Sequence, residues 1–74
     1  MKIQQLRYIL EIADCRSITK ASKKLFVSQP YLSKVVSDFE AKMNKQIFIR
    51  YNNGVELTAY GQKVYFLAQS IVNQ

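Results

Sequence analysis

Seventy-four residues, 49% of them hydrophobic and 22% charged, make one small folded domain rather than a disordered tail. The chain has no histidine and a single cysteine, Cys15, which excludes an intrachain disulfide, a thiolate metal cluster and histidine-based catalysis or metal binding. Eleven Lys and Arg against five Asp and Glu leave a formal charge of +6, which favours a polyanion partner, nucleic acid ahead of an anionic membrane surface.

Ile3, Leu6, Ile9, Leu10, Ile12 and Ala13 recur at steps of three and four, which predicts an amphipathic first helix over residues 3 to 14. Ser17 can cap a short second helix with Ile18, Ala21 and Leu25 on one side and Lys20, Lys23 and Lys24 outward. Ser28 is the expected N-cap of a third helix, residues 28 to 43, and Pro30 suits its first turn because amides there lack helical partners. Asn44 is able to end that helix in the left-handed conformation. The segment from Ile47 to Leu57 is rich in β-branched and aromatic residues, and Asn53-Gly54 suits a type I′ turn, so a β-hairpin over 47–57 is expected. Thr58 is a natural cap for a last helix running to residue 74, whose Tyr60, Val64, Phe66, Leu67, Ala68, Ile71 and Val72 wrap most of its circumference. One face can cover its own domain, and the rest is free for a partner.

The second and third helices, joined by a short turn, form the helix-turn-helix pattern. On a wheel stepping 100° per residue, Val35, Val36, Phe39 and Met43 fall within about 60° of Leu32. Pro30, Lys34 and Ser37 fall near the opposite pole, with Ser33 and Asp38 beside them. Gln29, Ser33, Lys34 and Ser37 are short hydrogen-bonding or cationic groups near a helix N-terminus, the composition a groove-reading surface needs. The same residues would also make an ordinary solvated helix face. Lys20 on the preceding helix, and Arg50, Asn52 and Asn53 on the hairpin, extend the polar surface towards phosphates. Asn53 equally suits turn chemistry, and Arg50 could stack on Tyr51.

Taken together, Ser17-Ile18-Thr19-Lys20-Ala21, Val27-Ser28-Gln29-Pro30, Leu32-Ser33, Phe39-Glu40, Phe48-x-Arg50 and Leu57-Thr58 with Gly61 resemble the N-terminal DNA-binding domain of LysR-type transcriptional regulators. The resemblance runs over residues 3 to 72. It implies a mainly α, winged helix-turn-helix domain over residues 1–57, a three-helix core with a β-hairpin wing at 47–57, followed by a long linker and dimerisation helix over 58–74. It also implies a homodimer paired through that last helix, bound to double-stranded DNA at a partly palindromic promoter site. Ser28, Gln29, Pro30, Ser33 and Lys34 become recognition-helix contacts under this resemblance, and Arg50 a backbone contact from the wing. Tyr31 stands where the family usually has alanine, so its ring either adds a base or sugar contact or crowds the groove. The family continues into an effector-binding domain that this sequence does not contain, so any small-molecule effector is expected to act only through that domain.

Dimerisation is expected through Tyr60, Val64, Leu67, Ala68 and Ile71, because a small domain should not leave that much apolar area wet. A clipped helix that once packed on the further domain would read the same way. No metal, cofactor or catalytic residue is expected. Glu11, Asp14, Asp38, Glu40 and Glu56 are scattered and form no acid/base pair. A module using its basic face on an acidic protein remains an alternative to DNA binding. No apolar run approaches the roughly 18 residues of a membrane span, and no charged-then-apolar leader occurs, so the cytoplasm is the expected compartment.

Overall fold

The computed structural model describes residues 2–73. Its elements run α1 (Ile3–Cys15), α2 (Ile18–Leu25), α3 (Gln29–Met43), β1 (Phe48–Tyr51), β2 (Gly54–Leu57) and α4 (Ala59–Val72). Each helix after the first starts on the hydroxyl its sequence offers: Ser17 accepts from the Lys20 amide, Ser28 from the Tyr31 amide and Thr58 from the Gly61 amide. The first three helices all stop on a left-handed residue: Arg16 at φ 55°, Phe26 at φ 59° and Asn44 at φ 54°. Only Asn44 among them tolerates that region readily.

The core is the product of the helical periodicities. Leu6, Ile9 and Ile12 of α1, Ile18 and Ala21 of α2, and Leu32, Val35, Val36 and Phe39 of α3 are all buried, and Ile47, Phe48 and Val55 seal the side where the hairpin docks. Buried Ser22 satisfies its hydroxyl by donating to the Thr19 carbonyl over 2.7 Å, so its place between helices leaves no orphaned polar group.

The hairpin cannot stand alone and is tied at both ends. Glu40, one turn before the end of α3, accepts from the Ile47 and Phe48 amides at 2.7 and 3.2 Å. The Thr58 hydroxyl donates to the Gln46 carbonyl over 2.6 Å, and the Thr58 amide donates to the Ile47 carbonyl over 2.9 Å. The Val55 amide donates to the Arg16 carbonyl over 3.0 Å, joining β2 to the end of α1.

The turn differs from the expected Asn53-Gly54 type I′ pair. Tyr51 pairs with Gly54, so Asn52 and Asn53 are the loop residues, and neither has positive φ. Gly54 serves another purpose: a Cβ there would overlap the Arg16 carbonyl that receives Val55. Gly61 likewise lets α4 pass over the Ile47 carbonyl.

α4 lies along α1. Tyr65 donates to Asp14 over 2.6 Å, and Gly61 and Ala68 are buried beneath the helix. This corrects one expectation of the sequence: Ala68 is only 1% exposed and belongs to the protomer's own core, not to a face offered to a second copy. Tyr60 and Val64 also lean on that core, half-buried, while Phe66, Leu67 and Ile71 point outward. The reason is geometric. Positions 61, 64, 68 and 72 form the inward stripe, and a helix apolar on nearly all sides does not reveal which stripe that is.

Candidate nucleic-acid interface

The start of α2, the start of α3 and the hairpin converge on one open groove of about 310 Å³. Ser17 and Thr19 line it from α2, Gln29 from α3, and Arg50, Asn52 and Asn53 from the hairpin. Two helix N-termini therefore open near the same space, each bringing amide donors and the positive end of a dipole.

Gln29 is the pivot. Its Oε1 accepts from the Thr19 hydroxyl over 3.1 Å, which orients the amide and leaves both Nε2 protons and one Oε1 lone pair free. Thr19 was not among the residues the sequence singled out for contact. Its only signal is a hydroxyl in the first turn of α2, which says nothing about a partner ten positions on.

Along α3, Pro30, Lys34 and Ser37 are exposed and Ser33 is half-buried, while Leu32, Val35, Val36 and Phe39 are buried. The hydrophilic edge of residues 28 to 37 is thus free, and the wing flanks it without sealing it. Ser28 is exposed, and with its oxygen accepting once as the α3 cap it keeps its O–H donor and one lone pair. Tyr31 leans away from the groove: its ring packs edge-on against Tyr8 of α1, centroids 6.3 Å apart at 82°. The ring neither fills nor crowds the centre of the face.

Lys34 donates to Asp38 over 3.0 Å, an exposed ion pair on the same edge. Lys20 is exposed on α2, whereas Lys24 sits 3.9 Å from Glu11 on the α1 side. Arg50 stands opposite Val55 in the ladder, and both it and the adjacent Tyr51 line the groove.

The groups with displaced acidities lie outside this groove. Burial, aided by a hydrogen bond to Glu11, pushes the Cys15 thiol up, which keeps it protonated and poorly nucleophilic. The Tyr65 phenol is raised by its hydrogen bond to Asp14. Among the described residues no group of three or more acidic or cysteine side chains is placed to hold a metal ion, and no helix is long and apolar enough to cross a membrane.

The model of bacterial regulatory helix-turn-helix proteins of the lysR family matches residues 3–62. The chain belongs to that family. Its fold, with the hairpin as wing, is the winged helix-turn-helix of LysR-type DNA-binding domains. Similar relatives include the nitrogen assimilation regulatory protein nac of Klebsiella aerogenes and of Escherichia coli (strain K12), each 36% identical over 74 residues. Those matches cover 100% of this chain and 24% of either relative, so the chain spans about a quarter of the length of these LysR regulators. Among solved structures, the complex of the CbnR DNA-binding domain with DNA superposes with a TM-score of 0.94 at 32% identity, covering 99% of this chain and 84% of that one. The BenM DNA-binding domain on its catB site superposes with a TM-score of 0.94 at 30% identity, over 99% and 81% of the two chains.

Proposed function

We propose that this LysR-family chain binds double-stranded DNA sequence-specifically and acts in transcription regulation, with α3 entering the major groove and the wing resting on the backbone or the minor groove. The observation that carries this reading is the free hydrophilic edge of residues 28–37 at the mouth of α3, flanked by the N-terminus of α2 and by the wing. Gln29, Ser33, Lys34 and Ser37 face base edges, Gln29 with the donor and acceptor pair that suits adenine. Ser28, Pro30, Lys20, Arg50, Asn52 and Asn53 fix the domain on phosphate and sugar, and Tyr31 serves at the margin of the face. That the similar CbnR and BenM domains were solved on DNA supports the assignment.

The DNA-bound form is a homodimer paired through α4, with Leu67 and Ile71 at the contact and Phe66 added to them, and with Tyr60 and Val64 supporting from beneath. Two recognition helices then address successive major grooves about 34 Å apart, or a multiple of that, on a partly palindromic promoter site. The role is binding and not catalysis, it is played in the bacterial cytoplasm, and any small-molecule effector works through a further domain.

Selection of bound sequences from a random duplex pool by the purified chain tests the proposal. A two-fold-related motif is the expected result. Recovery of unenriched DNA, or no retention at low salt, rejects it.

A further inference from the structure

Asp38 stands where a carboxylate gains little: it follows Lys34 in the weaker of the two i,i+4 orders. It also places an anion on the edge that is to approach phosphates. With the two side chains 73% and 61% exposed, the ion pair itself adds little to stability. Neither the fold nor simple attraction to a polyanion accounts for it.

Geometry supplies a use. The pair offers an ammonium donor and a carboxylate acceptor 3.0 Å apart on the hydrophilic edge. The major-groove edge of a G·C pair offers the reverse: the guanine O6 acceptor beside the cytosine N4 donor, joined by an N–H···O bond of about 2.9 Å. Laid against each other, the two pairs match donor to acceptor at one spacing. The Lys34 ammonium has three protons, so it can keep Asp38, reach O6 and turn the third to N7 of the same guanine. The Asp38 oxygen accepts from Lys34 and from the outward proton of N4.

We infer that Lys34 and Asp38 act as one unit that reads a G·C base pair, with Asp38 as the specificity-determining residue accepting from cytosine. This rests on the DNA-binding reading above and deepens it. Lys34 alone would be a mobile cation, as content on a phosphate as on a base. Held by Asp38, it is nearly neutral towards the backbone and is directed at a base edge.

The test compares the chain with Asp38→Ala, Lys34→Ala and the double variant. Each is measured on the wild-type selected site and on that site with its best-discriminated G·C position changed to each other pair. Both residues are exposed, so thermal melts should agree among the four proteins. The wild type should prefer G·C there by about tenfold, a typical size for one well-made base contact. Either single substitution should flatten the preference at that same position, and the double variant should be no flatter than the singles. Asp38→Ala should also steepen the salt dependence by about one unit of slope, because Lys34 is then free to take a phosphate. Asp38→Asn, which keeps an acceptor without the charge, should hold more of the preference than Asp38→Ala.

A uniform rise in affinity in Asp38→Ala with the G·C preference intact would make Asp38 a repelling charge and nothing more, overturning the inference while leaving DNA binding in place. Additive losses at two different positions would overturn it as well. Absence of DNA binding by the wild type would remove both readings together.

Discussion

The Thr19 hydroxyl donates to Gln29 Oε1 over 3.1 Å, joining the first turn of α2 to the first residue of α3. A glutamine that is to meet an adenine edge with both its oxygen and its nitrogen gains from being held before it arrives, because its side-chain freedom is otherwise lost on binding. Thr19→Val keeps the shape and removes the donor. It should weaken binding to the selected site several-fold and reduce discrimination at the base pair that Gln29→Ala also affects. The double variant should lose no more discrimination there than Gln29→Ala, since the hydroxyl acts through the amide. Fluorescence anisotropy on matched and singly altered duplexes checks this. Independent losses would separate the two residues.

Salt should expose the phosphate contribution. A dimer that neutralises roughly six to ten phosphates should lose about 10³ to 10⁵ in affinity between 50 and 200 mM salt. Lys20→Ala should shift the slope of log affinity against log salt by about one, and lower affinity about equally on all sequences. A flat titration curve would deny the backbone contacts assigned to α2 and the wing.

Glu40 should matter for stability although it is remote from the groove. Its carboxylate receives the amides of Ile47 and Phe48, both residues buried, where α3 hands over to the wing. Glu40→Ala orphans both donors. Charge-assisted hydrogen bonds contribute about 1.5–3 kcal/mol each at most, and neighbouring water will recover part of that. A loss of about 2 kcal/mol corresponds to roughly 8–16 °C in Tm for a domain of this size. Glu40→Gln, which keeps one acceptor, should lose less. Thermal melts followed by circular dichroism decide it, and unchanged Tm values would mean the wing does not depend on this clamp.

The Tyr65 hydroxyl donates to Asp14 over 2.6 Å, and this hydrogen bond, with some burial, raises the phenol above its ordinary value. The fold therefore favours the protonated phenol. Its stabilisation is fully present below the unfolded value of about 10 and is lost as pH rises through the higher folded value. Tyr65→Phe should melt below the wild type at neutral pH, and the gap should close in the alkaline range above pH 10. A gap independent of pH would point to packing, not the hydrogen bond, as what joins α4 to α1.

Much of this was legible in the sequence because the signals are local. Leu32, Val35, Val36 and Phe39 repeat at helical spacing, so the buried and free faces of α3 follow from the order of residues alone, and Ser17, Ser28 and Thr58 mark where helices start. What was hidden depends on partners distant in sequence. Gly54 looked like half of a turn, but the Arg16 carbonyl is the reason it is glycine. Ala68 looked like interface because no periodicity distinguishes two apolar stripes on one helix. Thr19 and Asp38 were visible as residues but not as partners, because a hydroxyl and a carboxylate on exposed helix faces are ordinary until their neighbours Gln29 and Lys34 are located. The left-handed Arg16 and Phe26 carry no signal in residue type. Phe26 ends α2 with its side chain 94% exposed, and nothing in the structure explains that choice of residue.

The outward-facing residues of α4 supply the last prediction. Phe66, Leu67 and Ile71 are 69%, 61% and 50% exposed; Leu67 and Ile71 lie one turn apart on the flank of the buried stripe, and Phe66 continues from Leu67 around the helix. Large apolar side chains clustered in this way on a small domain call for a cover, and two copies related by a two-fold axis would bury them against each other. Leu67→Glu places a charge in the middle of this group without disturbing the protomer core, so the variant should fold with a near-wild-type circular dichroism spectrum. It should sediment as a monomer under conditions where the wild type is dimeric. On a duplex carrying two half-sites its affinity should fall to that for one, because the second recognition helix no longer arrives linked to the first. Ala68→Glu should instead unfold the chain, since that side chain would enter the protomer's own interior. If Leu67→Glu remains a dimer, the pairing runs through another surface and the assignment of α4 is wrong.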